Sequence, residues 1–234
     1  MRVLAIMAHP DDIELYCAGT LLKYKQRGDF VVGCHVANGN MGHVEIMPDE
    51  LREIRDKESE NSAKIGGFDI LSLDVGDLTV DSTNIEQLEK VTKLIRDVKP
   101  DVIITQSPTD YCSDHVEVSK LVFKASFDAS VPHFKPHLGK ACDVMPVYYA
   151  ENDYGMDFMP TEYVDITDVM ETKEKMLACH ESQLVWIKDH DGVDLIDWLR
   201  MHSEERGSQC SVKYAEGFVP MIRSQRMRTY RVLP

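Results

Sequence analysis

The sequence predicts an α/β protein: a Rossmann-like, mostly parallel sheet with helices on both faces. Three features carry that expectation. Apolar runs of strand length recur along the chain, each too short for a helix. Charged or amphipathic helical patterns separate them, and strands alternating with helices build right-handed βαβ units. The polar residues able to do chemistry gather just after two of the apolar runs, where such sheets bind their ligands.

Taken in order, residues 2–7 (RVLAIM) run straight into a Pro-Asp loop and read as a buried parallel strand. Leu15, Ala18, Leu21 and Leu22 fall at helical spacing over 14–27, with Lys and Arg before the stop at Gly28. Val31 to Ala37 is the second strand and ends at Asn38-Gly39. A charged helix over 49–65 stops at Gly66-Gly67, and Ile70 to Leu73 is the third strand. Residues 84–98 form an amphipathic helix closed by Pro100, before a fourth strand at 101–105 (DVIIT). Past about residue 135 the pattern loosens: a strand over 145–150, a helix over 166–183 and a weaker one over 192–206. No linker or internal repeat divides the chain. The expectation is therefore a single domain over 1–234, with a core to about 135 and a C-terminal lobe over 136–234.

Composition narrows the function. The 234 residues carry 26 basic and 40 acidic side chains, a formal net charge of -14. Binding a polyanion takes clustered Lys and Arg, so nucleic acid and anionic membranes are not expected partners. Arg223, Arg226, Arg228 and Arg231 are the local exception and read as a solvated tail or an interface strand. The six cysteines include no CxxC pair, which leaves no structural zinc knot and suits reduced thiols in the cytoplasm. No apolar stretch approaches the roughly 18 residues of a membrane span, and Val3 to Ala8 is too short for a signal sequence.

The chemistry concentrates at His9-Pro10-Asp11-Asp12. Adjacent carboxylates repel unless a cation or a donor compensates. Imidazole and carboxylate are both good zinc ligands, and a catalytic zinc takes three protein ligands and keeps one position open. Neighbouring side chains diverge, so one of the two aspartates can bind an ion while the other serves as a general base. His115, beside Asp114 in the loop after the fourth strand, is the natural third ligand. Strand-end logic brings the two loops together although they lie about 100 residues apart. The same residues also fit a plain Pro-Asp turn with Asp12 as an N-cap, and their types fit a facial triad for non-haem iron.

The stretch AHPDDIELYCAGTL resembles the signature of the PIG-L/LmbE-like deacetylases. Weaker matches follow in family order: VANGNMG, Arg55-x-x-Glu58 before Ala63 and Ile65-Gly66, IRDVKPDVIIT, ESQ at 181–183 after His180, and YAEGF at 214–218. Together they span residues 3 to 218. The resemblance implies a Rossmann-like domain holding one zinc ion through His9, Asp12 and His115, with Asp11 as the general base toward water. Asp114 joins Asp11 among the catalytic residues. Arg55 falls on a family arginine that pairs with a carboxylate or touches substrate. The implied reaction is hydrolysis of an acetamide on an N-acetylated amino sugar or its conjugate, a small molecule, by a homo-oligomer.

One motif departs from the pattern. The family's HPDH reads Cys112-Ser113-Asp114-His115 here. The family histidine at the first position stabilises the oxyanion or protonates the amine, and a thiol is a weak donor in its place. Losing one such donor costs about 3 kcal/mol, roughly a hundredfold in rate. His43, His133, His137 and His180 are the candidates to replace it, and Cys112 itself could act as a nucleophile if a nearby cation depressed its pKa. Gly39 and Gly42 fit either a mobile loop or a simple turn. Trp186, Trp198 and the methionines read as core or rim, and no GxGxxG or Walker motif calls for a nucleotide. Two further readings share the metal site: hydratase or lyase chemistry, and metal or sugar binding without catalysis. The retained Asp11 weighs against binding alone.

Overall fold

A computed structural model describes all 234 residues. Seven strands form one sheet in the order β3-β2-β1-β4-β5-β7-β6. Strands β1 (Arg2–Met7), β2 (Phe30–Ala37), β3 (Asp69–Val75), β4 (Val102–Thr105) and β5 (Val147–Ala150) pair in parallel. Strand β7 (Ala215–Pro220) runs antiparallel between β5 and β6 (Glu162–Asp165).

The apolar run of β1 explains its central place. Val3, Ala5 and Met7 face one core with Leu21, Met176 and Leu199. Leu4, Ile6 and Ala8 face the other with Val91, Leu121 and Val122. A strand buried on both faces needs helices on both faces. One layer holds α2 (Ala18–Gln26), α3 (Pro48–Gly66), α6 (Met170–Leu177) and α8 (Leu195–Cys210); the other holds α4 (Ile85–Val98) and α5 (Ser113–Asp128). The chain lays β1, β2 and β3 to one side, then β4 and β5 to the other. The switch point therefore falls between β1 and β4, which brings their C-terminal loops side by side.

The helix expected over 14–27 is two helices, α1 (Asp12–Tyr16) and α2, broken at Cys17. The break frees the first amides of α2: Gly19 and Thr20 donate to the Glu216 carboxylate at 2.8 and 2.7 Å. Lys173 completes that buried site with a 2.7 Å pair to Glu216. The helix expected over 166–183 is likewise split, into α6 and α7 (Glu181–Asp191), and His180 lies buried in the turn between them. Helix α8 starts where Asp194 caps the amides of Ile196 and Asp197.

Of the arginines near the C-terminus, Arg223, Arg228 and Arg231 are exposed and Arg226 is not. Arg226 is buried and donates to Met145 O and Ser126 Oγ at 3.1 and 2.9 Å, and Arg228 reaches Val144 O at 2.8 Å. No helix is long and apolar enough to cross a membrane.

Candidate metal centre and cleft

The loop after β1 closes on itself. The His9 N–H donates to Asp12 Oδ2 at 2.7 Å, and the Asp12 N–H donates to His9 O at 3.3 Å. Between them Asp11 adopts φ 122°, a sparsely populated region for a residue with a Cβ, which turns its carboxylate away from that of Asp12. Gln106, just past β4, donates to Asp12 Oδ2 at 2.9 Å.

Three potential ligand groups converge across the switch point. His9 Nδ1 lies 3.3 Å from His115 Nε2. His115 Nε2 lies 3.5 Å from Asp12 Oδ1, and His9 Nδ1 lies 3.7 Å from Asp12 Oδ2. Metal bonds of about 2.0–2.1 Å in a tetrahedral site set neighbouring ligand atoms about 3.3–3.4 Å apart, so the residues fit a small divalent ion. The outer ring nitrogens fit it too. His9 Nε2 faces Asp114 Oδ2 at 3.3 Å, and His115 Nδ1 faces Asp110 Oδ2 at 2.9 Å. Each carboxylate fixes the tautomer that leaves the inner nitrogen free to coordinate. Asp114 also accepts the Leu78 N–H at 2.7 Å; its carboxylate therefore stands behind His9.

The electrostatics show a site short of positive charge. Burial would lower the pKa of both imidazoles. Asp114 and Asp12 outweigh it at His9, and Asp12 and Asp110 outweigh it at His115, so both rise above the usual value. Burial would raise Asp12, but His115 and His9 hold it low. Asp11 differs: burial pushes it up to about 6 against the opposing pull of Arg55.

Arg55 does not line the cleft. Its guanidinium is buried, 3.1 Å from Asp11 Oδ2, and also donates to Pro10 O and, at 3.1 Å, to Gly39 O. Of the two partners expected for it, the structure supplies the carboxylate. A Cβ on Gly39 would come within 2.6 Å of Arg55 Nε, so that position needs glycine. The Gly39 and Met41 amides donate to Asp77 at 2.7 and 3.0 Å, which makes this segment a pinned turn. Glu58, one turn on from Arg55 in α3, takes both the backbone and hydroxyl donors of Ser182 at 2.7 Å. The weakly matching segments of the sequence thus meet one another around the first loop.

A cavity of about 230 Å³ opens in front of the triad. Its inner wall carries His9, Asp11, Asp12, Cys112 and His115. Its outer wall comes largely from residues 153–198 and includes Trp198, Tyr154 and Asp153, joined by Tyr111 from the β4–α5 loop.

The PIG-L family model, described as GlcNAc-PI de-N-acetylase, matches residues 4–126. A diacetylchitobiose deacetylase of Thermococcus kodakarensis is 31% identical over 94% of this chain and 84% of its own. The chain belongs to the PIG-L deacetylase family. Among solved structures, the N,N'-diacetylchitobiose deacetylase of Pyrococcus horikoshii, held with an inhibitor, superposes with a TM-score of 0.82 at 28% identity, over 94% of this chain and 83% of that one. A 4-carboxy-2-hydroxymuconate hydratase of Pseudomonas putida superposes with a TM-score of 0.83 over 98% of this chain and 100% of that one, but at 21% identity the likeness is one of fold.

None of the four histidines considered as replacements for position 112 lines the cavity. His180 is fully buried, with Nε2 3.3 Å from Glu14 Oε2. His43 accepts the Glu45 and Ile46 amides, and His137 stands near Glu89 on the surface. Cys112 itself is beside these groups, with its sulfur and a ring nitrogen of each of His9 and His115 all within 4.8 Å of one another. Burial would raise its thiol, but the His115 ring draws it below the ordinary value. Sequence reasoning missed Gln106, Tyr16, Asp110 and Asp153 as members of the site. Asp110 had a usable signal, a carboxylate five positions before a candidate ligand. Asp153 sits in a stretch without a motif. Burial, with Asp12 and Asp11 nearby, pushes its carboxyl up to about 7.

Proposed function

We propose that this chain is a zinc-dependent N-deacetylase that hydrolyses the acetamide of an N-acetylated amino sugar or its conjugate. The observation that carries the reading is the meeting of His9 Nδ1, His115 Nε2 and the Asp12 carboxylate at 3.3–3.7 Å, with carboxylates behind both imidazoles and Asp11 beside them. Family membership supports the reaction class, and relatives named as deacetylases of N-acetylated sugars support the substrate class.

In this reading His9, Asp12 and His115 hold the ion. When bound, zinc polarises a carbonyl and lowers the pKa of water. Asp11 accepts the proton of the attacking water, and Arg55 keeps its carboxylate aimed. Asp114 and Asp110 act through the histidines they orient. The aromatic side chains of the outer wall offer flat faces to a sugar ring. The reading includes a homo-oligomer of this chain.

The test is acetate release from N-acetylglucosamine and diacetylchitobiose by metal-loaded protein, with chelator-treated protein alongside. Acetate only from the loaded protein is the expected result. A loaded protein that releases none from either sugar overturns the reading. Sedimentation velocity checks the assembly: a single species of monomer mass removes the oligomer.

A further inference from the structure

Amide hydrolysis needs two proton movements. One proton leaves the attacking water, and another must reach the departing nitrogen, because an amine anion is too basic to leave. Asp11 serves the first from the side where α3 holds it through Arg55. The thiol of Cys112 is a weak donor for the second.

Beside His115 the structure offers a different donor. Asp153 lines the same space and accepts a hydrogen bond from the hydroxyl of Tyr16, which is only 3% exposed. A carboxylate oxygen of Asp153 lies within 4.8 Å of a ring nitrogen of His115 and a carboxylate oxygen of Asp110. The turn that carries it is fixed on both sides. Asn152 donates to Thr109 O at 2.6 Å and to Met156 O at 2.7 Å, which ties the turn to the loop after β4. Glu151 takes a two-pronged bond from the Arg206 guanidinium of α8.

The next residue, Tyr154, belongs to an aromatic run. Its ring centroid is 6.4 Å from Trp198 and 6.4 Å from Tyr111. Tyr154 and Asp153 are neighbours in the chain and both line the cavity, so a sugar stacked on that run would bring the nitrogen it carries to the Asp153 side. The sugar carries the leaving amine, so the acid belongs there.

We propose that Asp153, steadied by Tyr16, protonates the leaving nitrogen and fills the role vacated at position 112; this rests on the deacetylase reading above. As the C–O bond forms, Asp11 takes a proton from water. As the C–N bond breaks, the Asp153 carboxyl gives its proton to nitrogen. Asp11 then releases its proton to solvent, Asp153 regains one from solvent, and the products are acetic acid, which gives up its proton to solvent as acetate, and the free amine.

The test compares two substrates on the metal-loaded full chain: N-acetylglucosamine, whose nitrogen needs a proton, and 4-nitrophenyl acetate, whose phenolate does not. Asp153→Asn is expected to lower the amide rate about 10²–10³-fold while the ester rate stays within about threefold and the bound metal is unchanged. Tyr16→Phe is expected to lower the amide rate about tenfold. Adding Cys112→His to Asp153→Asn is expected to recover at least about tenfold of the lost amide rate. An amide rate in Asp153→Asn within about threefold of the parent overturns the proposal, as does an equal fall on both substrates. A parent protein that carries metal and cleaves no acetamide overturns the deacetylase reading first.

Discussion

The two walls of the cleft are built on different principles. The inner wall comes from loops at the ends of the parallel strands β1 and β4, and its polar groups hold one another: Asp12 by the His9 amide and Gln106, His9 by Asp114, His115 by Asp110. The outer wall comes mainly from residues 153–198 and presents large, partly exposed rings, with Tyr154 62% and Tyr111 78% exposed. The inner wall has little freedom to change without losing the site. The outer wall can change its rings and keep the fold, so substrate preference is written in those rings, while the groups facing the ion are written in the inner wall.

Five perturbations test that contrast, in descending order of effect. Asp12→Ala or His115→Ala should abolish both metal binding and turnover, while Asp11→Asn should keep the metal and lose about 10²–10⁴-fold in rate. Metal content by elemental analysis beside acetate release separates the two; metal loss in Asp11→Asn would break the division of labour. Lys173→Met strips a partner from the buried Glu216 and should destabilise the protein by about 3 kcal/mol, read from the denaturant midpoint, with metal affinity in the surviving fold unchanged. Asp110→Asn leaves His115 without its orienting carboxylate and should weaken metal affinity about 10–100-fold in a chelator competition. Trp198→Ala should raise KM by up to about tenfold with kcat nearly unchanged, since it removes a contact shared by ground and transition states. A large kcat loss there would mean that the outer wall also sets the chemistry.

The sequence spoke most clearly about the inner wall. The run ending at Met7 and the one ending at Thr105 each predicted a buried strand, and the switch-point rule put His9 and His115 in adjacent loops. The break at Cys17 was not legible, because it answers to Glu216, about 200 residues away. Helix α5 and strands β6 and β7 also went unread. Strand β6 (EYVD) is flanked by a carboxylate at each end and has no apolar run like those of β4 and β5, and β7 carries both Gly217 and Pro220. Asp153 was invisible for a similar reason: its place is set by Asn152 and Arg206 through contacts that no local pattern encodes.

The strand order has a consequence for the birth of the molecule. In the sheet β6 touches only β7, and β7 lies between it and β5. While the chain is being made, β6 therefore waits as an unpaired edge until residues 215–220 arrive, and α2 waits for the Glu216 carboxylate that accepts its first amides. The parallel half can assemble as it emerges, but the outer wall locks only when nearly the whole chain is present. The ribosome thus delivers His9, Asp12 and His115 long before it delivers the strand that pairs β6 to the sheet.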